Sequence, residues 1–158
     1  MRLYFLRHGR ADRIAWSGPD DQRPLTPEGR ERMQREARRM RKLDLDLDVI
    51  LTSPLTRAFE TALIVAEELS LEDHLVEDAR LGLGFHPRHV GAFLNDYPDA
   101  DSMMFVGHEP SFSETISELI GGGNIVCKKG SLARVDLADA GYLSGELVWL
   151  LQPKTLLA

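Results

Sequence analysis

The chain of 158 residues holds a single cysteine, Cys127, so no disulfide can close within it and thiolates are too few for a structural zinc site. Long apolar runs are missing as well. None approaches the roughly 20 residues that span a bilayer, and the opening MRLYFLRHGRAD has an apolar stretch too short for a signal-peptide core. Positive charge is not in surplus either: 19 Lys and Arg face 25 Asp and Glu, a formal net charge of −6. That sign argues against a general affinity for nucleic acid or an anionic membrane surface. With no repeat, low-complexity tract or linker to divide it, the sequence reads as one domain over residues 1–158. A reducing, cytoplasmic setting is the expectation.

What is present is ordinary for a soluble globular chain, 43% hydrophobic and 28% charged. At this length folding removes roughly 70% of the accessible surface from water, enough for a core that needs no staples. Three short runs, Leu3 to Leu6, Val49 to Leu51 and Met103 to Val106, are apolar at consecutive positions. Such runs predict strands covered on both faces in a parallel sheet. Between them the spacing turns helical. Thr26 caps a segment opening with Pro27-Glu28 and carrying Met33, Ala37 and Met40 on one side. Ser53-Pro54 predicts the start of a second helix, with Ala58, Ala62, Val65, Ala66 and Leu69. Pro110 predicts a third, with Phe112, Ile116, Leu119 and Ile120, ended by Gly121 to Gly123. Leu132 to Leu137 and Glu146 to Leu151 read as a terminal pair of strands. The alternation predicts an α/β, three-layer sandwich with a mostly parallel central sheet flanked by helices.

In open α/β sheets, ligands sit beyond the carboxyl ends of the strands, so the residues that follow each apolar run are informative. They are Arg7-His8-Gly9, then Thr52 to Arg57, then Gly107-His108-Glu109-Pro110. Two arginines and two histidines from distant parts of the chain thus converge on one edge. Two of these segments lead into helices with a proline near the start, where unpaired N–H groups favour anions. An arginine fork matches phosphate oxygens and keeps its charge at working pH. A neutral imidazole adds reactivity, because it can attack phosphorus and split transfer into two steps. Gly9, lacking a Cβ, suits a close approach of backbone to ligand or side chain.

LRHG at 6–9, PLTPEG at 24–29, TSPLTRAFETA at 52–62 and VGHEP at 106–110 resemble, in order, the signature blocks of the histidine phosphatase superfamily, whose fold is called phosphoglycerate mutase-like. The resemblance implies that His8 is the phosphorylated nucleophile. It places Arg7, Arg57 and His108 around the phosphoryl group, with Gly9 beside it. The short chain without a cap insertion is most similar to the SixA-type phosphohistidine phosphatases. The mutase branch continues RHG with Glu and places Asn six residues after the histidine, whereas Arg10 and Ile14 stand here. Larger members carry an acidic proton donor after the second helix, for which Glu77 and Asp78 are the nearest candidates. The implied function is hydrolysis through a phosphohistidine on His8, without metal or cofactor. The implied partner is a phosphorylated protein, or else a small phosphorylated metabolite.

Other features compete for attention. Cys127 beside Lys128 and Lys129 suggests a cysteine-dependent phosphatase, but Ala133 occupies the position where that signature needs arginine. A non-catalytic phospholigand-binding module would need the arginines but not His8. The run from Arg30 to Lys42 reads as a solvated helix face with Glu31 and Glu36 interspersed, or as a dock for an acidic partner. Asp44, Asp46 and Asp48 lack the Gly and Glu of a calcium loop and read as exposed residues leading into a strand. His86 and His89 have helical metal spacing without a third ligand, which favours a rim or surface position.

Overall fold

The computed structural model describes residues 1–14, 16–139 and 141–158. Six strands form one sheet: β1 (Arg2–Arg7), β2 (Val49–Thr52), β3 (Leu75–Glu77), β4 (Ser102–Gly107), β5 (Leu132–Asp139) and β6 (Ser144–Leu151). Their order is β3-β2-β4-β1-β5-β6. The three pairings among β3, β2, β4 and β1 are parallel, and β5 and β6 add an antiparallel edge. The helices are α1 (Pro27–Met40), α2 (Thr56–Leu69), α3 (Pro87–Asp96), α4 (Ser111–Leu119) and the one-turn α5 (Pro153–Leu156).

The consecutive apolar residues of each central strand divide between the two faces, because side chains alternate along a strand. Tyr4, Leu6, Ile50, Met104 and Val106 pack beneath α1 and α2, against Met33, Ala37, Met40, Ala62 and Val65. Leu3, Phe5, Leu51, Met103 and Phe105 pack on the other side, against Val90 and Phe93 of α3 and Phe112 and Ile116 of α4. Two cores, one on each face, make the sandwich that the sequence predicts. Each fully buried Leu, Phe or Met contributes roughly 1.5–3 kcal/mol of transfer free energy. No helix among the described residues is long and apolar enough to cross a membrane.

The helix starts show where local signals hold and where they shift. Thr26 Oγ1 accepts from Gly29 N at 2.9 Å, and Pro27 occupies the first helical position, as its fixed φ and missing N–H favour. Pro54 does not open α2. Ser53 Oγ accepts from Leu55 N at 3.2 Å, so residues 53–55 form a turn, and the helix begins at Thr56. Pro110 likewise precedes α4, which starts at Ser111. Three elements have no counterpart in the sequence reading: the three-residue edge strand β3, helix α3 and the one-turn α5.

Part of the basic run along α1 is neutralised by glutamates of α2. Arg30 meets Glu60 at 2.7 Å, and Arg38 and Arg41 share Glu68 of α2 at 3.9 and 2.9 Å. Asp44, Asp46 and Asp48 are exposed and alternate with buried Leu45 and Leu47. Asp48 accepts from the backbone N–H groups of Asp101 and Ser102 at 2.8 and 2.9 Å, tying the entry to β2 onto the start of β4.

Candidate active site

Parallel pairing sets β1, β4 and β2 side by side with Arg7 opposite Gly107 and Thr52 opposite Val106. The chain then extends the ladder past the strand ends. His8 N donates to Gly107 O and Ser53 N to Val106 O, each at 3.0 Å. His8, Ser53 and His108 are therefore neighbours because the sheet's register makes them so. The imidazoles of His8 and His108 lie 5.2 Å apart, centroid to centroid. Both are buried, and so is Arg57, which the first turn of α2 delivers. All four residues singled out by position, Arg7, His8, Arg57 and His108, line one cavity of about 260 Å³.

His8 Nδ1 lies 2.7 Å from the Gly9 carbonyl. A carbonyl only accepts, so Nδ1 carries the hydrogen and Nε2 keeps the lone pair. Burial pushes the His8 pKa well below the usual histidine value, helped by His108, Arg57 and Arg7. The same causes, burial first and then Arg57 and Arg7, lower His108 to about 4. Both rings are neutral at pH 7. His108 Nε2 is 2.7 Å from Ser53 Oγ, which fixes its orientation.

The arginines are held by backbone as much as by charge. Arg7 Nη1 donates to Cys127 O at 2.9 Å. Arg57 Nη1 donates to Asp20 O at 2.9 Å, and its Nη2 meets the Asp20 carboxylate at 3.3 Å. That carboxylate is also 3.2 Å from buried Arg23 and 3.9 Å from Arg13. Arg13, Arg23 and Lys129 line the cavity too, so five cationic side chains surround two neutral imidazoles. Sequence reasoning missed Arg13, Arg23 and Asp20, which sit in an irregular segment with no strand end to mark them. Their only signal is the four charged residues Arg13, Asp20, Asp21 and Arg23 within one short irregular stretch.

Two sequence expectations, for Gly9 and for Glu77 and Asp78, need correction, while Cys127 is as unsuited to catalysis as its sequence context implied. Gly9 does not line the cavity. It faces α1 and α2, where its N–H donates to Thr61 Oγ1 at 3.0 Å and an added Cβ would come within 2.6 Å of Met33 Cγ. Its lack of a side chain serves packing behind His8. Glu77 and Asp78 also stay off the cavity lining. Glu77 is exposed, and Asp78 caps a short turn while both its oxygens accept from Arg80, at 2.9 and 2.7 Å. Arg80 holds the Asp78 carboxyl below its ordinary pKa, so it is ionised and poorly suited to donate a proton. From that segment Leu83 reaches the cavity instead. Cys127 is buried and its thiol is pushed up to about 11 by burial, the reverse of what a nucleophilic thiolate needs. Its contribution to the site is the carbonyl that holds Arg7.

Among the carboxylates, Glu109 lines the cavity, and its oxygens accept from Ser113 N at 3.0 Å and Ser113 Oγ at 2.5 Å. Gly130 (φ +83°) donates to both Arg7 O and His8 O at 3.1 Å. This left-handed turn, which favours glycine, pins the backbone of the two residues. Behind it lies Glu36, fully buried, with its carboxyl pushed up to about 7 by burial. No three His, Cys, Asp or Glu side chains among the described residues converge as metal ligands would.

Known proteins resemble the chain in sequence and in fold. An uncharacterised protein of Picosynechococcus is 34% identical, covering 99% of both chains. The structure of the protein histidine phosphatase SixA complexed with tungstate superposes with a TM-score of 0.88 at 24% identity, over 99% of each chain. The alpha-ribazole phosphatase of Shigella flexneri superposes with a TM-score of 0.73 at 20% identity, over 97% of each. These structural likenesses establish the phosphoglycerate mutase-like fold. Residues 3–81, half of the chain, match the family model itself, and the protein belongs to branch 1 of the histidine phosphatase superfamily.

Proposed function

We propose that the protein is a phosphatase that hydrolyses phosphohistidine in a protein, by way of a phosphoryl group carried on His8. The observation that carries this reading is the state of His8 itself. It is buried and neutral, its Nδ1–H is given to Gly9 O at 2.7 Å, and its Nε2 is the ring nitrogen left with a lone pair. A binding module would have no use for a nucleophile prepared in this way.

In the first step His8 Nε2 attacks phosphorus in line, a new N–P bond forms, and the bond from phosphorus to the substrate's ring nitrogen breaks. Arg7 and Arg57 meet the charge spread over the non-bridging oxygens, and Arg13, Arg23 and Lys129 add to the positive field. Water then attacks phosphorus, the His8 N–P bond breaks, and phosphate leaves. His108, uncharged, contributes a polar ring beside the phosphoryl group and no charge. The absence of an unengaged carboxyl in the described cavity lining supports a leaving group that needs no dedicated acid. An imidazole that takes its proton from solvent meets that requirement better than an alkoxide does. The neighbouring SixA fold was solved with tungstate, a tetrahedral oxyanion, which is in keeping with a pocket of this charge.

A side-by-side assay decides the matter. Phosphohistidine protein, phosphoserine peptide, a sugar phosphate and an aryl phosphate are offered to the enzyme, with and without chelator. An acid-labile phosphoryl group is sought on the enzyme in parallel. The expected result is fastest turnover of phosphohistidine protein and a labelled enzyme that His8→Ala abolishes. Preference for the sugar phosphate, loss of turnover with chelator, or no labelled enzyme would overturn the reading.

A further inference from the structure

A second cavity, of about 390 Å³, adjoins the first and shares Arg7 and Lys129 with it. Its other lining residues are Arg32 from α1, Lys128, Gln152, Pro153 and Lys154. Among the described residues, no carboxylate and no aromatic ring lines it. The groove is built rather than incidental, since Gln152 Nε2 donates to Val126 O at 2.6 Å and Gln152 Oε1 accepts from Lys128 N at 3.3 Å. Those two bonds fasten the turn carrying Lys128 and Lys129 to the start of α5, which carries Lys154. Arg32 alone among these cations has an ion-pair partner, Glu36 at 3.1 Å, and the lysines have none among the described residues. This contrasts with Arg30 and Arg38 of the same helix α1 and Arg41 just after it, which glutamates of α2 neutralise.

An excess of positive charge at one spot on a chain of net charge −6 sets up a field that attracts an anionic surface to the mouth of the site. Lys128, Lys129, Lys154 and Arg32 are exposed. Lysines on flexible stems act as hydrated point charges and tolerate many geometries, which suits a protein face better than a fixed second anion of a small metabolite. Nucleic acid would be expected to use stacking aromatics, and the groove has none. We propose that this groove, contiguous with the phosphoryl pocket through Arg7 and Lys129, docks an acidic face of the phosphohistidine-bearing protein. The inference rests on the proposed function and adds which kind of protein is chosen.

The test leaves Arg7 and Lys129 intact and reverses the outer charges with Lys128→Glu/Lys154→Glu. An acidic carrier protein and histone, both phosphorylated on histidine with phosphoramidate, are compared with an aryl phosphate. For the acidic carrier, kcat/KM should fall about tenfold through KM at low ionic strength, and the gap should close as salt screens the charges. Aryl phosphate turnover should stay within about twofold, and histone should lose nothing. Lys128→Gln/Lys154→Gln should show a smaller loss of the same kind, and unchanged melting would show that both variants are folded. An unchanged KM for the acidic carrier overturns the groove assignment while leaving the phosphatase reading intact. Equal loss on the aryl phosphate, or inhibition of the wild type by RNA that the variants escape, overturns it as well. A wild type inert toward every phosphohistidine protein but active on small phosphates sinks the proposed function and the docking face together.

Discussion

Two pairs of histidines divide the molecule. His8 and His108 directly follow strands β1 and β4, are buried, and face each other across 5.2 Å at the carboxyl edge of the sheet. His86 and His89 come from one helix start. His86 Nδ1 accepts from Arg88 N at 3.2 Å, and His89 Nδ1 accepts from His86 N at 3.0 Å. This reciprocal arrangement satisfies donors at the start of α3 as a capping box does. In both pairs a ring nitrogen bonds to the backbone, and both His8 and His89 are shifted to lower pKa by burial. What separates them is company. The first pair shares its cavity with five cationic side chains, and the second pair spends its nitrogens on its own helix.

The widest separation between the two pairs should come from deleting the rings. His8→Ala should lower kcat by at least about 10⁴-fold, as loss of a nucleophile does, and abolish the phosphoenzyme. His86→Ala/His89→Ala should keep kcat/KM within about twofold. Steady-state assay on a phosphohistidine protein and on an aryl phosphate checks both. Full turnover by His8→Ala would mean that burial and cationic neighbours do not mark the working pair.

The same contrast extends to arginine. Arg57, buried and aimed into the cavity, should cost about 10²–10³-fold in kcat/KM when replaced by alanine, roughly 3–4 kcal/mol of transition-state stabilisation. Arg38, exposed and 3.9 Å from Glu68, should cost nothing in turnover, in line with the small worth of surface ion pairs. A phosphate-inhibition constant that rises for Arg57→Ala and not for Arg38→Ala would tie the loss to anion binding.

How much of this could be read from the chain follows from the same distinction. Arg7, His8, Arg57 and His108 were legible because each directly follows an apolar run or begins a helix, and sheet topology fixes where such residues go. Arg23 and Asp20 were not, since irregular segments have no periodicity from which direction can be inferred. Helix α3 carried a proline at its first position and apolar Val90 and Phe93 at helical spacing, yet its histidine cap imitates metal spacing, and the caps usually sought are Ser, Thr, Asp and Asn. Strand β3 has three residues at an edge, too few to show a pattern. Glu77 and Asp78 were misplaced because proximity in sequence to the site gives no direction for a side chain. Arg80, two residues away, claims Asp78 first.

Acid should act on the cavity pair in a definite direction. His108 has a folded pKa of about 4 against an ordinary 6.5, so the unfolded chain binds the proton more readily than the folded one. Its contribution to stability is therefore full above about pH 6.5 and is lost as pH falls through about 4. Thermal melts across that window should show a declining Tm, and His108→Gln should flatten part of the decline. The rate should follow His8. Its neutral form attacks, so the acid limb of kcat/KM should lie below the usual histidine range, where burial and the neighbouring cations hold it. A limb at or above pH 6.5 would contradict a buried, cation-flanked nucleophile.

The smallest effect belongs to the capping pair and is one of stability. Replacing both His86 and His89 by alanine removes two acceptors from donors at the start of α3, each worth about 1 kcal/mol. For a chain of this size that is a fall in Tm of roughly 2–4 °C per kcal/mol. His86→Ser should restore much of it, because serine caps a helix without an imidazole. Rescue by serine at position 86, alongside the failure of any small residue to rescue position 8, would show that one pair is used for its hydrogen bonds and the other for its ring. If added zinc raised the melting temperature of the wild type and not of His86→Ser, the second pair would be a metal site after all, and the contrast between the two would have to be redrawn.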